Sequence, residues 1–189
     1  MKQIVRTLLS ASLVAAGLAC MPASANSLTF QGVTFETQAA GSNLTLTIDN
    51  ALSGGTGNWA NVNFLSAFEI KEVGTVTGAT LAGWATDVDN GLANAGCATG
   101  GEPGACFTSL PGPLALTDHM VFNISFAGTG LDFSSPHLKV NFLTNSDDSK
   151  ATGDLLSKNI PAVPEPETYA LMLAGLGVMG FIARRRKAA

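Results

Sequence analysis

Short runs in which every second residue is apolar recur through the middle of the chain. Leu44, Leu46 and Ile48 alternate with Thr45, Thr47 and Asp49; Phe122, Ile124 and Phe126 with Asn123 and Ser125. Leu138, Val140 and Phe142 alternate with Lys139 and Asn141, and Phe68 and Ile70 with Glu69 and Lys71. A period of two puts one set of side chains on a buried face and the other in water, which predicts half-buried strands. Leu28-Thr29-Phe30 and Val33-Thr34-Phe35 straddle Gln31-Gly32, a bulge or tight turn. Between the runs stand clusters such as Ser53-Gly54-Gly55-Thr56-Gly57-Asn58. Alternating runs separated by turn chemistry predict an all-β fold, an antiparallel β-sandwich of jelly-roll-like or Ig-like kind, with few helices.

Both ends break this pattern. Lys2 and Arg6 precede a mostly apolar stretch from Leu8 to Ala19, and Ala23-Ser24-Ala25 follows Pro22. A positive start, a short apolar segment and small residues at Ala23 and Ala25 make a secretory signal peptide cut after Ala25. About a dozen apolar residues fall short of the roughly 20 a membrane span needs. Cys20 raises lipidation as a rival, but Gly17 stands where a lipoprotein signal has an aliphatic residue.

At the other end, Val163-Pro164-Glu165-Pro166-Glu167 leads into an uncharged run from Tyr169 to Ala183, closed by Arg184, Arg185, Arg186 and Lys187. Fifteen residues make about 22 Å of helix; counting the flanks from Glu167 to Lys187 brings this to about 31 Å, enough to cross. The basic cluster stays cytoplasmic and leaves the sandwich outside. Pro161, Pro164 and Pro166 hold the preceding segment extended and outside the helix. The predicted organisation is therefore a signal helix at residues 1–25, an ectodomain at 26–160 and a proline-rich linker at 161–168. A single transmembrane helix at 169–183 and a basic tail at 184–189 complete it.

The order of Val163-Pro164-Glu165-Pro166, a short glycine-bearing apolar helix and Arg184-Arg185-Arg186-Lys187 resembles the PEP-CTERM family of sorting tails. The resemblance covers residues 163–187 and implies a protein handled by an exosortase, a membrane cysteine transpeptidase. It also implies export through the inner membrane of a Gram-negative bacterium, transient anchoring there, then the cell surface or the extracellular matrix of a biofilm. In that reading the chain is the substrate, and the catalytic cysteine belongs to its partner.

Charge sharpens the picture of the ectodomain. The whole chain carries −4, but residues 26–160 hold four lysines, no arginine and twelve carboxylates, a net −8. Such a surface excludes nucleic acid as a partner. Cys97 and Cys106 enclose the glycine-rich Ala98-Thr99-Gly100-Gly101-Glu102-Pro103-Gly104-Ala105. In an oxidising compartment this pair is expected as a disulfide. A metal-binding pair is the alternative, without a neighbouring ligand to complete a tetrahedral site.

Candidate chemistry is sparse. His119 and His137 stand near strand starts with no nucleophile elbow, so no catalytic residue is expected and the chain is read as a non-enzyme. Asp87-Val88-Asp89-Asn90-Gly91 has the flavour of a calcium loop. Counted from Asp87, however, the twelve-residue spacing places Leu92 where glycine is needed and Ala98 where glutamate is needed. No cofactor is expected, with Asp87 and Asp89 as weak calcium candidates beside Asp147, Asp148 and Asp154. Trp59 and Trp84, with Phe64 and Phe68, are core aromatics first and a sugar-stacking platform second, Trp59 being the more exposed of the two tryptophans. Thr45, Thr47, Thr75 and Thr77 are too few for the regular threonine ranks of an ice-binding face. The leading expectation is a non-catalytic structural or carbohydrate-binding module, with extracellular polysaccharide as a partner; the alternative is a secreted polysaccharide-active hydrolase.

Overall fold

The computed structural model describes residues 25–93, 96–97, 104–147, 156–163, 172–177, 179 and 184. In chain order the strands are β1 (Ala25–Phe30), β2 (Val33–Ala40), β3 (Asn43–Asp49), β4 (Phe64–Lys71), β5 (Thr75–Thr80), β6 (Trp84–Asp87) and β7 (Leu92–Ala93). They continue with β8 (Gly96–Cys97), β9 (Ala105–Ser109), β10 (Leu114–Ala115), β11 (His119–Thr129), β12 (His137–Leu143) and β13 (Leu156–Asn159). One five-stranded sheet has the order β1-β2-β3-β11-β5. A second runs β13-β12-β4-β9-β6, with β10 also paired to β4, and β7-β8 forms a small third hairpin. The pairings among these strands are antiparallel, so the expected sandwich is what the chain forms.

The apolar alternation supplies the core. Val33 and Phe35, then Leu44, Leu46 and Ile48, then Met120, Phe122, Ile124 and Phe126 form the inner face of the first sheet. Phe68, Ile70, Phe107, Leu138, Val140 and Phe142 meet them from the second. Each of these side chains is buried, and removing such a group from water contributes roughly 1.5–3 kcal/mol. The register shifts in β5, where Ala127↔Gly78 is followed by Gly128↔Val76, and again in β4. Its register with β12 steps from Asn141↔Ala67 to Phe142↔Leu65, so Ser66 is an extra, bulged residue. Leu65 and Phe68 both join the core because of that step.

Gln31 and Gly32 form the two-residue turn between β1 and β2, with φ of 45° and 80°. Positive φ at both positions matches the twist of a hairpin. Gly32 is needed for a second reason: a Cβ there would stand 1.9 Å from the carbonyl oxygen of Gly54.

Two features surround the sandwich. The β7-β8 hairpin lies on the outer side of the second sheet, where Leu92 and Cys97 pack on Ala67 and Cys106. Residues 172–177 are helical, with Met172, Leu173 and Leu176 exposed. Among the described residues no helix is long and apolar enough to cross a membrane. Most of the predicted span at 169–183 lies outside the described residues, as do the signal segment before Ala25, Asp148, Asp154, Pro164, Glu165, Pro166, Arg185, Arg186 and Lys187.

Candidate functional site

Two neighbouring features of the first sheet are candidates, a polar outer face and the corner where the chain's two ends meet. The face follows from the alternation that built the core. Outward positions fall in register across strands as Ser27–Glu36–Thr47–Val121 and Ala25–Gln38–Thr45–Asn123. They are dominated by short hydroxyl and amide side chains that brace one another. Thr45 Oγ1 donates to Asn123 Oδ1 at 3.1 Å, and Ser125 Oγ donates to Asn43 Oδ1 at 2.7 Å. The hydroxyls of Thr29 and Thr34 pair at 3.0 Å. His119 Nδ1 lies 2.6 Å from Asp49 Oδ1, which ties up the second carboxylate of this face.

A groove of about 450 Å³ is set into this face, lined by residues 25–27 of β1, 36–38 of β2, Thr45 and Thr47 of β3, and Val163. Among the described residues Glu36 is the one ionisable side chain in that lining. In a domain of net −8 the groove is therefore close to neutral and rich in groups that both donate and accept hydrogen bonds.

Val163 reaches the groove because the chain after β13 crosses to the first sheet. Ile160 is fully buried and its N–H donates to the carbonyl of Pro136. Residues 161–163 then run antiparallel to the start of β1, with Asn26 opposite Ala162. The Ser27 N–H donates to Pro161 O at 3.1 Å, and the Val163 N–H donates to Ala25 O at 2.9 Å. Asn26, 1% exposed, is anchored beneath this pair: its Nδ2 donates to Phe133 O at 2.8 Å and to Thr37 Oγ1 at 3.1 Å. The first three residues of the expected linker are thus an added strand segment at the sheet edge. The residue before Pro164 and the residue at the expected signal cleavage point are hydrogen-bonded to each other.

The remaining candidates fall elsewhere. Cys97 and Cys106 form the expected disulfide, with Cα atoms 5.8 Å apart. Trp59, expected to be the more exposed tryptophan, is 1% exposed. A short 3-10 turn, Gly57–Trp59, drives its indole among Phe30, Phe35 and Phe142, so the flexible loop before it did not translate into exposure. Trp84, partly buried, packs edge-on against Phe68 and Phe122 at the margin of the core.

His119 and His137 belong to different sheets. The ring nitrogens of His137 lie 2.9 Å from Asn159 Oδ1 and 2.9 Å from Ser157 Oγ. Asp87 is folded into its own turn: Oδ1 accepts the N–H groups of Asp89 and Asn90, and Oδ2 accepts the Asn90 amide. The Asn90 side chain, with the backbone donors, holds the Asp87 carboxyl below its usual range. Among the described residues no three His, Cys, Asp or Glu side chains gather as a metal site.

The groove was not singled out from sequence. Its only signal was compositional: outward positions on these strands read Thr, Ser, Asn and Gln where a plain solvent face more often carries Lys and Glu.

Comparison with known families matches residues 162–187 to the PEP-CTERM protein-sorting motif. The comparisons with curated proteins and with solved structures yield no match. The chain therefore carries a PEP-CTERM sorting motif, which implies export, exosortase processing and a C-terminal membrane or surface anchor.

Proposed function

We propose that this exosortase-processed protein delivers a non-catalytic β-sandwich to the extracellular matrix, where the outer face of its five-stranded sheet binds a neutral polysaccharide. The observation that carries the reading is the groove of about 450 Å³ lined by Ser27, Glu36, Gln38, Thr45 and Thr47. Pyranose hydroxyls are donors and acceptors at once, and so are the hydroxyl and amide groups of these residues. The acidic remainder of the domain repels polyanions and leaves uncharged chains as the favoured partner. Recognition rests on hydrogen bonding rather than ring stacking, because Trp59 is buried and the ring of Trp84 packs against Phe68 and Phe122.

Affinity electrophoresis and glycan arrays on the secreted protein test this reading. Binding to neutral glycans that is lost in a Gln38→Ala, Thr45→Ala, Thr47→Ala chain supports it; unchanged binding, or a preference for anionic polymers, overturns it. The delivery half has its own test. Deleting residues 184–187, or replacing Pro164 and Pro166 by alanine, is expected to leave unprocessed or mislocalised protein, and unchanged processing overturns it.

One observation favours the hydrolase reading as an alternative. Glu36 and Asp49 project from the same face on adjacent strands, diagonal in register (Thr34↔Asp49, Glu36↔Thr47). Such a diagonal sets the two residues roughly 7–8 Å apart, near enough for their side chains to reach the carboxyl separations of about 5–9.5 Å that glycosidases use. Asp49 is held by His119, which works against a free nucleophile or base. Release of reducing sugar that Glu36→Gln abolishes would decide for the hydrolase.

A further inference from the structure

The outer face of the second sheet carries a hydrogen-bonded chain of side chains along its β12-β13 edge. We propose that Ser157 is an activated nucleophile, a modification site at which this domain takes an acyl group from an ester. The inference goes beyond the glycan groove and stands apart from it, because the groove lies on the outer face of the other sheet.

Strand register puts the groups together. His137 pairs with Asn159 and Lys139 with Ser157, while Leu138, Val140 and Leu156 turn into the core. His137, Ser157 and Asn159 therefore share the outer face, with His137 diagonal to Ser157. The histidine is largely covered, with 14% of its side chain exposed, and Ser157 is open to solvent.

The carboxylate of Glu72 fixes where the protons lie. It only accepts, so Asn159 turns Nδ2 toward it, donating to Oε2 at 3.1 Å, and turns Oδ1 toward the ring. Oδ1 lies 2.9 Å from His137 Nδ1, and Glu72 Oε1 lies 3.5 Å from the same nitrogen. Two acceptors around Nδ1 place the proton of the neutral ring there and leave Nε2 as an acceptor. Ser157 Oγ, 2.9 Å from Nε2, donates to it. A hydroxyl, a base and a group that orients the base are thus in reach of one another, the arrangement that activates a nucleophile. Glu72 reaches its place from a left-handed backbone conformation, φ 60°, and such outliers concentrate at functional sites.

The sheet edge supplies a donor for the oxygen that turns negative. Ile160 N–H donates to Pro136 O, so alternation turns the main-chain groups of Lys158 toward β12 and those of Ser157 and Asn159 away from it. β13 ends the sheet order, and among the described residues no strand pairs with its other side. The Ser157 N–H therefore stands open beside its own hydroxyl, placed to donate to a carbonyl oxygen under attack.

In the step itself, Oγ attacks the carbonyl carbon of the ester and its proton passes to His137 Nε2. The tetrahedral centre expels the alkoxide, which takes that proton and leaves as an alcohol. The acyl group stays on Ser157. Where the carbonyl belongs to an esterified polymer, the polymer itself stays attached, on the side of the sandwich opposite the groove.

The probe is p-nitrophenyl acetate, incubated with the exported protein. Stoichiometric release of p-nitrophenolate is expected, with an acetyl group that peptide mass spectrometry maps to Ser157. His137→Gln is expected to slow that acetylation by roughly 10²–10⁴-fold, the contribution of a positioned base. Ser157→Ala removes only an exposed hydroxyl and is expected to abolish the adduct. Circular dichroism checks that both variants fold; should His137→Gln not fold, the adduct map and Ser157→Ala decide alone. Acetyl groups on lysines alone overturn the proposal, as does acetylation of Ser157 that is equally fast in folded His137→Gln. Glycan arrays on the same variants keep the two readings distinguishable, since loss of glycan binding counts against the groove and not against Ser157.

Discussion

Glu69 Oε2 accepts the backbone N–H of Leu92 at 2.8 Å, from a carboxylate with no exposed surface. Lys139 Nζ stands 3.3 Å from the same oxygen across the β4-β12 pair. A buried carboxylate thus fastens the β7-β8 hairpin to the outer side of the second sheet, and the disulfide closes the same hairpin from Cys97 to Cys106. Glu69→Ala is expected to cost about 3 kcal/mol by urea unfolding, because it strands Lys139 and the Leu92 amide. A Glu69→Leu, Lys139→Met chain removes both charges and is expected to lose clearly less. Equal losses in the two chains would show that the charge pair is not the cause.

Replacing Cys97 and Cys106 together by serine is expected to cost about 2–3 kcal/mol, the chain-entropy cost of opening a ring of this size. The loss should appear in unfolding of the non-reduced protein and match that seen when wild type is treated with reductant.

Trp59 offers a spectroscopic check that also bears on binding. Its burial among Phe30, Phe35 and Phe142 predicts blue-shifted emission, and Trp59→Ala is expected to cost about 3–5 kcal/mol through the cavity it leaves. Saturating the protein with a neutral glycan is expected to leave tryptophan emission unshifted. A large shift would move the binding site away from the Gln38–Thr45 face.

At the β1-β2 turn, Gly32→Ala meets both a φ of 80° and the Gly54 carbonyl at 1.9 Å. A loss above about 1 kcal/mol is expected, more than an alanine costs where only the backbone is strained. Thermal unfolding of the variant measures it.

Acidification should weaken the fold. Asp118 is held below its ordinary 3.8 chiefly by the Ser53 backbone N–H, and Asp132 likewise by Ser134; Asp87 is lowered by Asn90. With folded values below unfolded ones, these groups contribute stability that is fully present above the unfolded value of about 3.8. It is lost as pH falls through the lower folded values. Melting temperature followed from pH 6 down to about 2 is expected to drop below about 4. Asp118→Asn should flatten part of that slope, since the amide cannot gain a proton over the same range.

Much of the domain was legible in the chain because the signal is local. Leu44-Leu46-Ile48, Phe122-Ile124-Phe126 and Leu138-Val140-Phe142 became inner strand faces, as a period of two requires. Gln31-Gly32 became the tight turn, and a glycine-rich ten-residue segment closed its own disulfide. Trp59 ran the other way: a glycine-rich loop describes the backbone before the ring, not the apolar surroundings the ring finds. The Ser66 bulge was equally hidden, since it exists only as a mismatch between β4 and β12.

The sequence by itself determined the sorting tail, the acidic and arginine-free ectodomain, the disulfide and the strand-rich class. Each of these is written in residues close together or in simple composition, where propensity and charge act without the rest of the fold. Tertiary structure decided what those strands do together. It aligned Ser27, Glu36 and Thr47 on one face, buried Glu69 under a hairpin, and set Asn26 against Phe133, 107 residues away. It also brought Ala25 to Val163, so the start of β1 shares a hydrogen bond with the edge of the sorting motif. Register and edge pairing are chosen by the packing of the whole core, and no window of neighbouring residues contains that choice.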